Sequence, residues 1–360
     1  MFKHIIIHLL FLFSTSVSSF AQQKIIRNPA TKAKNVILLI GDGMGLAQIY
    51  AGMTANKGWL HLEKCTVVGL SKTNSADRYI TDSAAGATAF ATGKKTNNGC
   101  VGVDSLGRPV ATILEIAEQR GLATGLVATT AITDATPASF IAHQPSRDLG
   151  EAIADDFLKT DVDVFIGAGL NHFKTRADKR DLTAELKKNG YQVLYDINEV
   201  AKVNSGKLAG FVSDQRWSGG RGDQLLKSAQ TAIRILEQNK NGFFLMIEGS
   251  QIDDGGHENN SNHVIEEMLD FDNVIGEVLS FAEKNGETLI VITADHETGG
   301  YTLVDGNLQT GRVEGRFSTE GHTSVMVPVF AYGPGAETFT GIYHNTKIFD
   351  KLMTAFSFNK

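Results

Sequence analysis

The stretch NVILLIGDGMG, Asn35 to Gly45, decides the fold class. Val36–Ile40 is apolar at every position, so a strand there leaves no face for water. Such a strand belongs inside a sheet covered on both sides. The run stops at a glycine-rich turn, and a helix-like stretch follows. The same order recurs along the chain. Apolar runs at Gly125–Thr129, Val162–Ile166, Tyr191–Tyr195, Phe243–Ile247, Thr288–Ile292 and Val327–Ala331 read as strands. Helical spacing marks Thr112–Gln119, Ala138–His143, Asp223–Glu237, His263–Ala282 and a closing helix Tyr343–Phe356. These elements predict an α/β fold: a mostly parallel central sheet with helices on both faces. No repeat, proline-rich linker or low-complexity tract divides the chain, so residues 22–360 read as one domain. Ser205–Gly222 is polar and glycine-rich, and reads as a surface loop or small insertion.

Composition narrows the partners. The 360 residues are 42% hydrophobic and 21% charged, with a net charge of −6 and no basic run. That argues against nucleic acid and anionic membrane surfaces. An acidic protein that handles an anionic substrate needs local positive charge, from metal ions or a well-placed arginine. Residues 1–21 read as a signal peptide: Lys3, the apolar run Ile5–Phe13 broken by His8, then Ser19-Phe20-Ala21 before the new N-terminus Gln22. The run is too short for a membrane span, which takes about 20 residues. A soluble exported protein, periplasmic or secreted, is expected. Export favours disulfides, yet Cys65 and Cys100 are the two cysteines present. They can pair or stay as two buried thiols, and neither has C-x-x-C spacing.

In open α/β sheets, ligands bind beyond the carboxyl ends of the strands. Asp42 follows the first strand, Glu248 and then Asp253 and His257 follow another, and Asp295-His296 follow a third. One acid at a strand end is an ordinary turn or cap residue. Acids and imidazoles at three strand ends, gathered by one sheet edge, look like a metal cluster. The mixed Asp/His set suits zinc or a similar divalent ion. The turn GDGMG at 41–45 lacks the G-x-G-x-x-G spacing of a dinucleotide loop. Its glycines instead allow a sharp turn that aims Asp42 into a shared site.

TDSAAGATA, residues 81–89, predicts a tightly packed helix with Ser83 near its N-terminus, where an anion or alkoxide is favoured. Taken alone, Asp82 or Ser83 is accounted for as an N-cap. TDATP at 133–137 also follows a strand, with Pro137 in a first helical turn and Thr136 as the cap. Arg147 lies further on. A lone arginine is normally a solvated charge, but a phosphate site calls for one.

Together these segments resemble the alkaline phosphatase family. The motifs are GDGMG at 41–45, TDSAAGATA at 81–89, TDATPA at 133–138, EGSQID at 248–253 with His257, TADH at 293–296, and GHTS at 321–324 before AYGP at 331–334. Each is weak alone; six in family order, across about Asn35 to Pro334, are specific. The resemblance implies a phosphate-monoester hydrolase with two zinc ions, one magnesium ion and a phosphoserine intermediate on Ser83. It implies that Asp253, His257 and His322 hold the first zinc. Asp42, Asp295 and His296 would hold the second, with Ser83 facing it. Asp42, Asp134, Thr136 and Glu248 would share the magnesium. Arg147 would grip the phosphate, and Asp82 would orient Arg147 or Ser83. A serine hydroxyl is too weakly acidic to attack phosphorus at neutral pH, and neighbouring cations correct that. A homodimer is usual in the family. The sequence departs from better-known relatives at Asp254, where they have Lys, His or Trp.

Other readings fit less well. Sulfatases of the superfamily carry a C/S-x-P-x-R motif, missing around Ser83, and its diesterases generally use threonine and lack the arginine. A non-catalytic metal or phosphate binder would not need the full set of nucleophile, ligands and arginine. A purely structural zinc site would be closed by four protein ligands, mainly Cys and His. His61, His143, His172, His263 and His344 fit no motif and read as core or surface hydrogen-bonding residues, with His143 the nearest to Arg147 in sequence.

Overall fold

The computed structural model describes residues 32–212 and 222–358. In chain order the strands are β1 Asn35–Gly41, β2 Val67–Lys72, β3 Ala123–Ala131, β4 Val164–Ala168, β5 Gln192–Leu194, β6 Leu208–Phe211, β7 Phe243–Gly249, β8 Thr288–Thr293, β9 Glu297–Thr298, β10 Thr302–Asn307, β11 Arg312–Arg316, β12 His322–Thr323, β13 Val327–Tyr332 and β14 Gly341–His344. Ten of them form one sheet in the order β14-β2-β13-β8-β1-β7-β3-β4-β6-β5. β13 pairs antiparallel with both β8 and β2, and every other pairing in this sheet is parallel. β1 lies at the centre, between β8 and β7.

The apolar run of β1 does what its composition requires. Side chains alternate across a strand. Val36, Leu38 and Ile40 join one core, while Ile37 and Leu39 join the other. The first core is roofed by helices Ser83–Thr92, Ile113–Gln119 and Thr346–Ala355; the second by Leu46–Ala55, Gln224–Leu236 and Ser261–Asn285. The helix Ser261–Asn285 begins at Asn260, whose side chain accepts from two backbone amides, and ends at Gly286 in the left-handed region.

Several expectations need correcting. Tyr343 belongs to β14, so the closing helix is Thr346–Ala355. The helix expected at Ala138–His143 is four residues long and lies earlier, at Ala135–Ala138, capped by Asp134 rather than Thr136. The stretch Ser205–Gly222 contains strand β6, and its residues 213–221 lie outside the described residues. The signal peptide expected at residues 1–21 lies outside them too. β2 was not expected at all. Cys65 and Cys100 are separate thiols: Cys65 is buried and Cys100 donates to the Pro145 carbonyl. Among the described residues no helix is long and apolar enough to cross a membrane.

Candidate active site

Four neighbouring parallel strands, β8, β1, β7 and β3, end at the same sheet edge. They deliver Asp295 and His296, then Asp42, then Glu248 and Asp253, then Asp134. Ser83 is the first residue of the helix Ser83–Thr92, and all ten of its residues are buried. Asp82 is the N-cap: its carboxylate accepts from the Ala85 amide at 3.0 Å and the Gly99 amide at 2.8 Å. The small residues have a steric cause. A β-carbon on Gly86 would sit 3.0 Å from Cβ of Asp295, so this helix presses directly on the acid. Its N-terminus thereby places Ser83 Oγ 3.3 Å from His296 Nε2.

The imidazoles and acids fall into two tight groups. In one, His257 Nε2 lies 3.2 Å from Asp253 Oδ2, and His322 Nε2 lies 3.6 Å from Asp253 Oδ1. In the other, His296 Nε2 lies 3.2 Å from Asp295 Oδ2 and 3.4 Å from Asp42 Oδ1. The His296 and His322 rings stack at 3.5 Å between the groups. His257 Nδ1 is held by the Glu320 carbonyl and His322 Nδ1 by the Thr81 carbonyl at 2.9 Å. A carbonyl only accepts, so each Nδ1 carries the proton and each Nε2 is left with a lone pair when neutral. Those two nitrogens nevertheless face each other at 3.1 Å. A cation between them removes that conflict. Buried oxygens point the same way: Asp42 Oδ1, Asp295 Oδ2, Glu248 Oε2 and Thr136 Oγ1 have no hydrogen-bond partner. Orphaned carboxylate oxygens beside imidazole lone pairs are the donor set of a divalent metal site.

Burial, followed by Asp295 and Asp253, pushes the Asp42 carboxyl well above its ordinary range. Burial and then Asp253 raise Asp295 to about 7. Burial and then Asp134 raise Glu248 to about 8. Burial also works to raise Asp253, but the hydrogen bond from His257 and then the neighbouring His296 and His322 imidazoles overcome it and hold it low. The Asp253 partnership raises His257 to about 9. Burial, then His322, keeps His296 neutral. Carboxylates this close and this buried need positive charge.

Arg147 supplies some of it. Its Nη2 lies 3.1 Å from Asp134 Oδ1 and its Nη1 3.6 Å from Asp82 Oδ2. Its backbone amide donates to Gly99 O at 2.7 Å, tying its loop to the one that Asp82 holds. Asp134, Thr136 and Glu248 stand at the ends of β3 and β7 but join neither tight group. Asp254 lies between Asp253 and His257 on the helix Ile252–His257. Thr298 is a residue that sequence reasoning missed. Its hydroxyl donates to Asp253 Oδ1 and lies 3.2 Å from His296 Nδ1, touching both groups. Its signal is only its place, two residues after His296. The remaining histidines stay ordinary: His143 bonds Glu115 at 2.9 Å and Gly102 O at 2.7 Å, His172 bonds Thr133 at 2.6 Å, and His263 bonds Glu258 at 2.9 Å.

Comparison with known proteins agrees with this geometry. The family described as alkaline phosphatase matches residues 33–314. Alkaline phosphatase 3 of Bacillus subtilis (strain 168) is 33% identical over 97% of this chain and 94% of its own. The alkaline phosphatase of Escherichia coli (strain K12) is 32% identical over 90% and 86%. The solved alkaline phosphatase of the Antarctic bacterium TAB5 superposes with a TM-score of 0.86 at 42% identity, covering 92% of this chain and 100% of that one. A histidine-to-aspartate variant of it, with magnesium bound, gives the same TM-score at 43% identity over the same shares of the two chains. The chain thus belongs to the alkaline phosphatase family, a metal-dependent family of phosphoric monoester hydrolases.

Proposed function

We propose that this protein is an exported phosphatase that transfers the phosphoryl group of a phosphate monoester to Ser83 and then to water. The observation that carries the reading is Ser83 Oγ, at the N-terminus of a buried helix, 3.3 Å from the His296 imidazole, which belongs to one acid–imidazole group and stacks on His322 of the other. Asp253, His257 and His322 would hold one zinc ion. Asp42, Asp295 and His296 would hold a second, facing Ser83. Asp42, Asp134, Thr136 and Glu248 would hold magnesium; the unpartnered Thr136 Oγ1 and Glu248 Oε2 support that part. When bound, these ions supply the positive charge that lowers the serine pKa and offsets charge on the phosphoryl oxygens.

The chain's own groups do the rest. Asp82 caps the helix and so fixes where Ser83 stands. Ser83 Oγ attacks phosphorus as the bond to the leaving alcohol breaks, and the alcohol departs with a proton. The helix N-terminus favours the anion that collects there. Arg147, braced by Asp134 and Asp82, offers its fork to two non-bridging oxygens. Water then attacks the phosphoserine, the Oγ–P bond breaks, and phosphate leaves. The leader at 1–21 supports export, and a single catalytic domain from residue 22 is supported by one sheet that draws strands from Asn35 to His344.

The test pairs a chromogenic phosphate monoester with its matched diester. The wild-type protein is expected to favour the monoester strongly. Arg147→Ala is expected to lower kcat/KM on the monoester about 10^2–10^3-fold, to weaken inhibition by inorganic phosphate, and to change the diester rate little. A wild-type preference for the diester would overturn the reading.

Asp254 is the departure from familiar relatives that bears on phosphate affinity. A half-buried acid on the helix of Asp253 and His257 repels an incoming anion. Asp254→Lys is expected to tighten inhibition by inorganic phosphate about fivefold, the worth of roughly 1 kcal/mol for a partly exposed charge, and to alter the magnesium requirement. If neither changes, Asp254 has no part in either.

A further inference from the structure

We infer that Glu297 is a positioning residue that holds the two ligand groups in register, acting through Thr323 and Gln48. The inference rests on the metal reading above and deepens it. Glu297 follows His296 directly. Thr323 follows His322 directly, and Gln48 lies on the helix that begins just after the Asp42 turn. One buried carboxylate joins all three segments. Its Oε1 accepts from Gln48 Nε2 at 2.8 Å and from the Tyr301 amide at 2.9 Å, and its Oε2 accepts from the Thr323 hydroxyl. Gln48 Nε2 also donates to the Thr298 carbonyl at 2.8 Å. The amide nitrogen of Gln48 is thereby committed to this one strand.

The need for such a brace is visible in the topology. His296 and Asp295 follow the central strand β8, but His322 sits on β12. Among the described residues that strand pairs only with β9, through Thr298–His322 and Glu297–Thr323, outside the ten-stranded sheet. Two residue pairs make a weak ladder. The stack of His296 on His322 therefore depends on side chains that clamp β9 to β12. Packing fixes the clamp from a third side. A β-carbon on Gly45 would lie 2.4 Å from Cγ of Glu297, so the turn after Asp42 lies directly against the Glu297 stem. Two of the three donors to Glu297, Gln48 Nε2 and the Tyr301 backbone N–H, cannot accept, so an acceptor must stand at Oε1. Alanine removes it, whereas glutamine can keep that oxygen in place and donate to the Thr323 hydroxyl, which accepts as well as donates.

Residues that orient metal ligands from behind typically cost 10–100-fold in metal affinity when changed. The experiment is a zinc competition titration against a chromogenic chelator on the full chain, comparing wild type, Glu297→Ala, Thr323→Val and Thr323→Ser, with thermal melts alongside. Glu297→Ala and Thr323→Val are each expected to bind zinc about 10–100-fold more weakly. Thr323→Ser keeps the hydroxyl and is expected to stay within about threefold of wild type. If Glu297→Ala does not fold, Thr323→Val carries the same expectation. Variants that melt earlier yet hold zinc as tightly as wild type would show Glu297 to be merely structural and overturn the inference. A wild-type protein with no tight zinc binding would instead overturn the metal reading, and this inference with it.

Discussion

Ser83→Ala is expected to lower kcat on a phosphate monoester by on the order of 10^3–10^5-fold while leaving the fold and the bound metal in place. The size follows from what is removed. The reaction is split into two displacements at one oxygen, and without Oγ neither can occur as before. What survives is slow direct attack by water, still assisted by the positive charge around the phosphate. The fold is spared because Ser83 does not cap its helix. Asp82 does, through the Ala85 amide, and it also holds the Gly99 amide. Among the described residues the Ser83 hydroxyl has one hydrogen-bond-range partner, His296 Nε2 at 3.3 Å, and alanine is the better helix former. The variant is expected to melt within about 2 °C of wild type, because at most one hydrogen bond worth about 1 kcal/mol is lost from a chain of this size. Acid quenching during turnover separates the alternatives. Wild type is expected to trap phosphate on the peptide containing Ser83, and the variant none. Retention of a tenth of the activity, or label on another residue, would place the nucleophile elsewhere.

The parts of this site that the sequence declares are those where one residue type has one reason to be present. Asp42, Asp253, Asp295 and the histidines beside them follow strands whose apolar runs are unmistakable, because those strands are buried on both faces. Sheet topology then brings the acids together with no further signal. The run Ser83–Thr92 was also readable, since small residues imply close approach, here to Asp295. β2 was hidden for the opposite reason. Gly69 reads as a breaker, yet a side chain there would meet the Phe339 carbonyl at 2.1 Å, so the glycine is what lets the strand exist. β14 and β6 were absorbed into a helix and a loop because each is four residues long and carries no full period of either pattern. The cap at 134 rather than 136 is a choice between two adequate cap residues that only the backbone makes. Thr298 and Glu297 were invisible because their work depends on β12, a two-residue strand with no apolar signature.

Removing the metal ions is expected to lower the melting temperature by on the order of 10 °C, and by more at pH 9 than at pH 6. A site at 1,000 times its dissociation constant contributes about 4 kcal/mol. Two or three such sites in a chain this size give a shift of that order. The pH trend comes from the acids left behind. In the metal-free protein Asp295 titrates at about 7 and Glu248 at about 8, both raised first by burial, and Asp42 is raised by burial and Asp295. A carboxyl whose folded pKa lies above its unfolded value stabilises the fold fully below the unfolded value, and that contribution is lost as pH rises through the folded one. The loss is about 1.4 kcal/mol per pH unit for each proton the folded state alone retains. His257, raised by Asp253 to about 9, runs the same way at the upper end of the window. Asp253, held low, contributes in the opposite sense, but its contribution is lost only in acid, outside pH 6–9. His296, pushed down mainly by burial, also opposes the trend, but only below about pH 6.5. Metal binding reverses the logic, because ligands must be deprotonated to bind and affinity grows with pH. The gap between the melting temperatures of loaded and chelated protein should therefore widen steadily from pH 6 to pH 9. Calorimetry at three pH values across that range measures it. A gap that is constant or narrows would mean that these buried carboxylates do not share their charge with the metal.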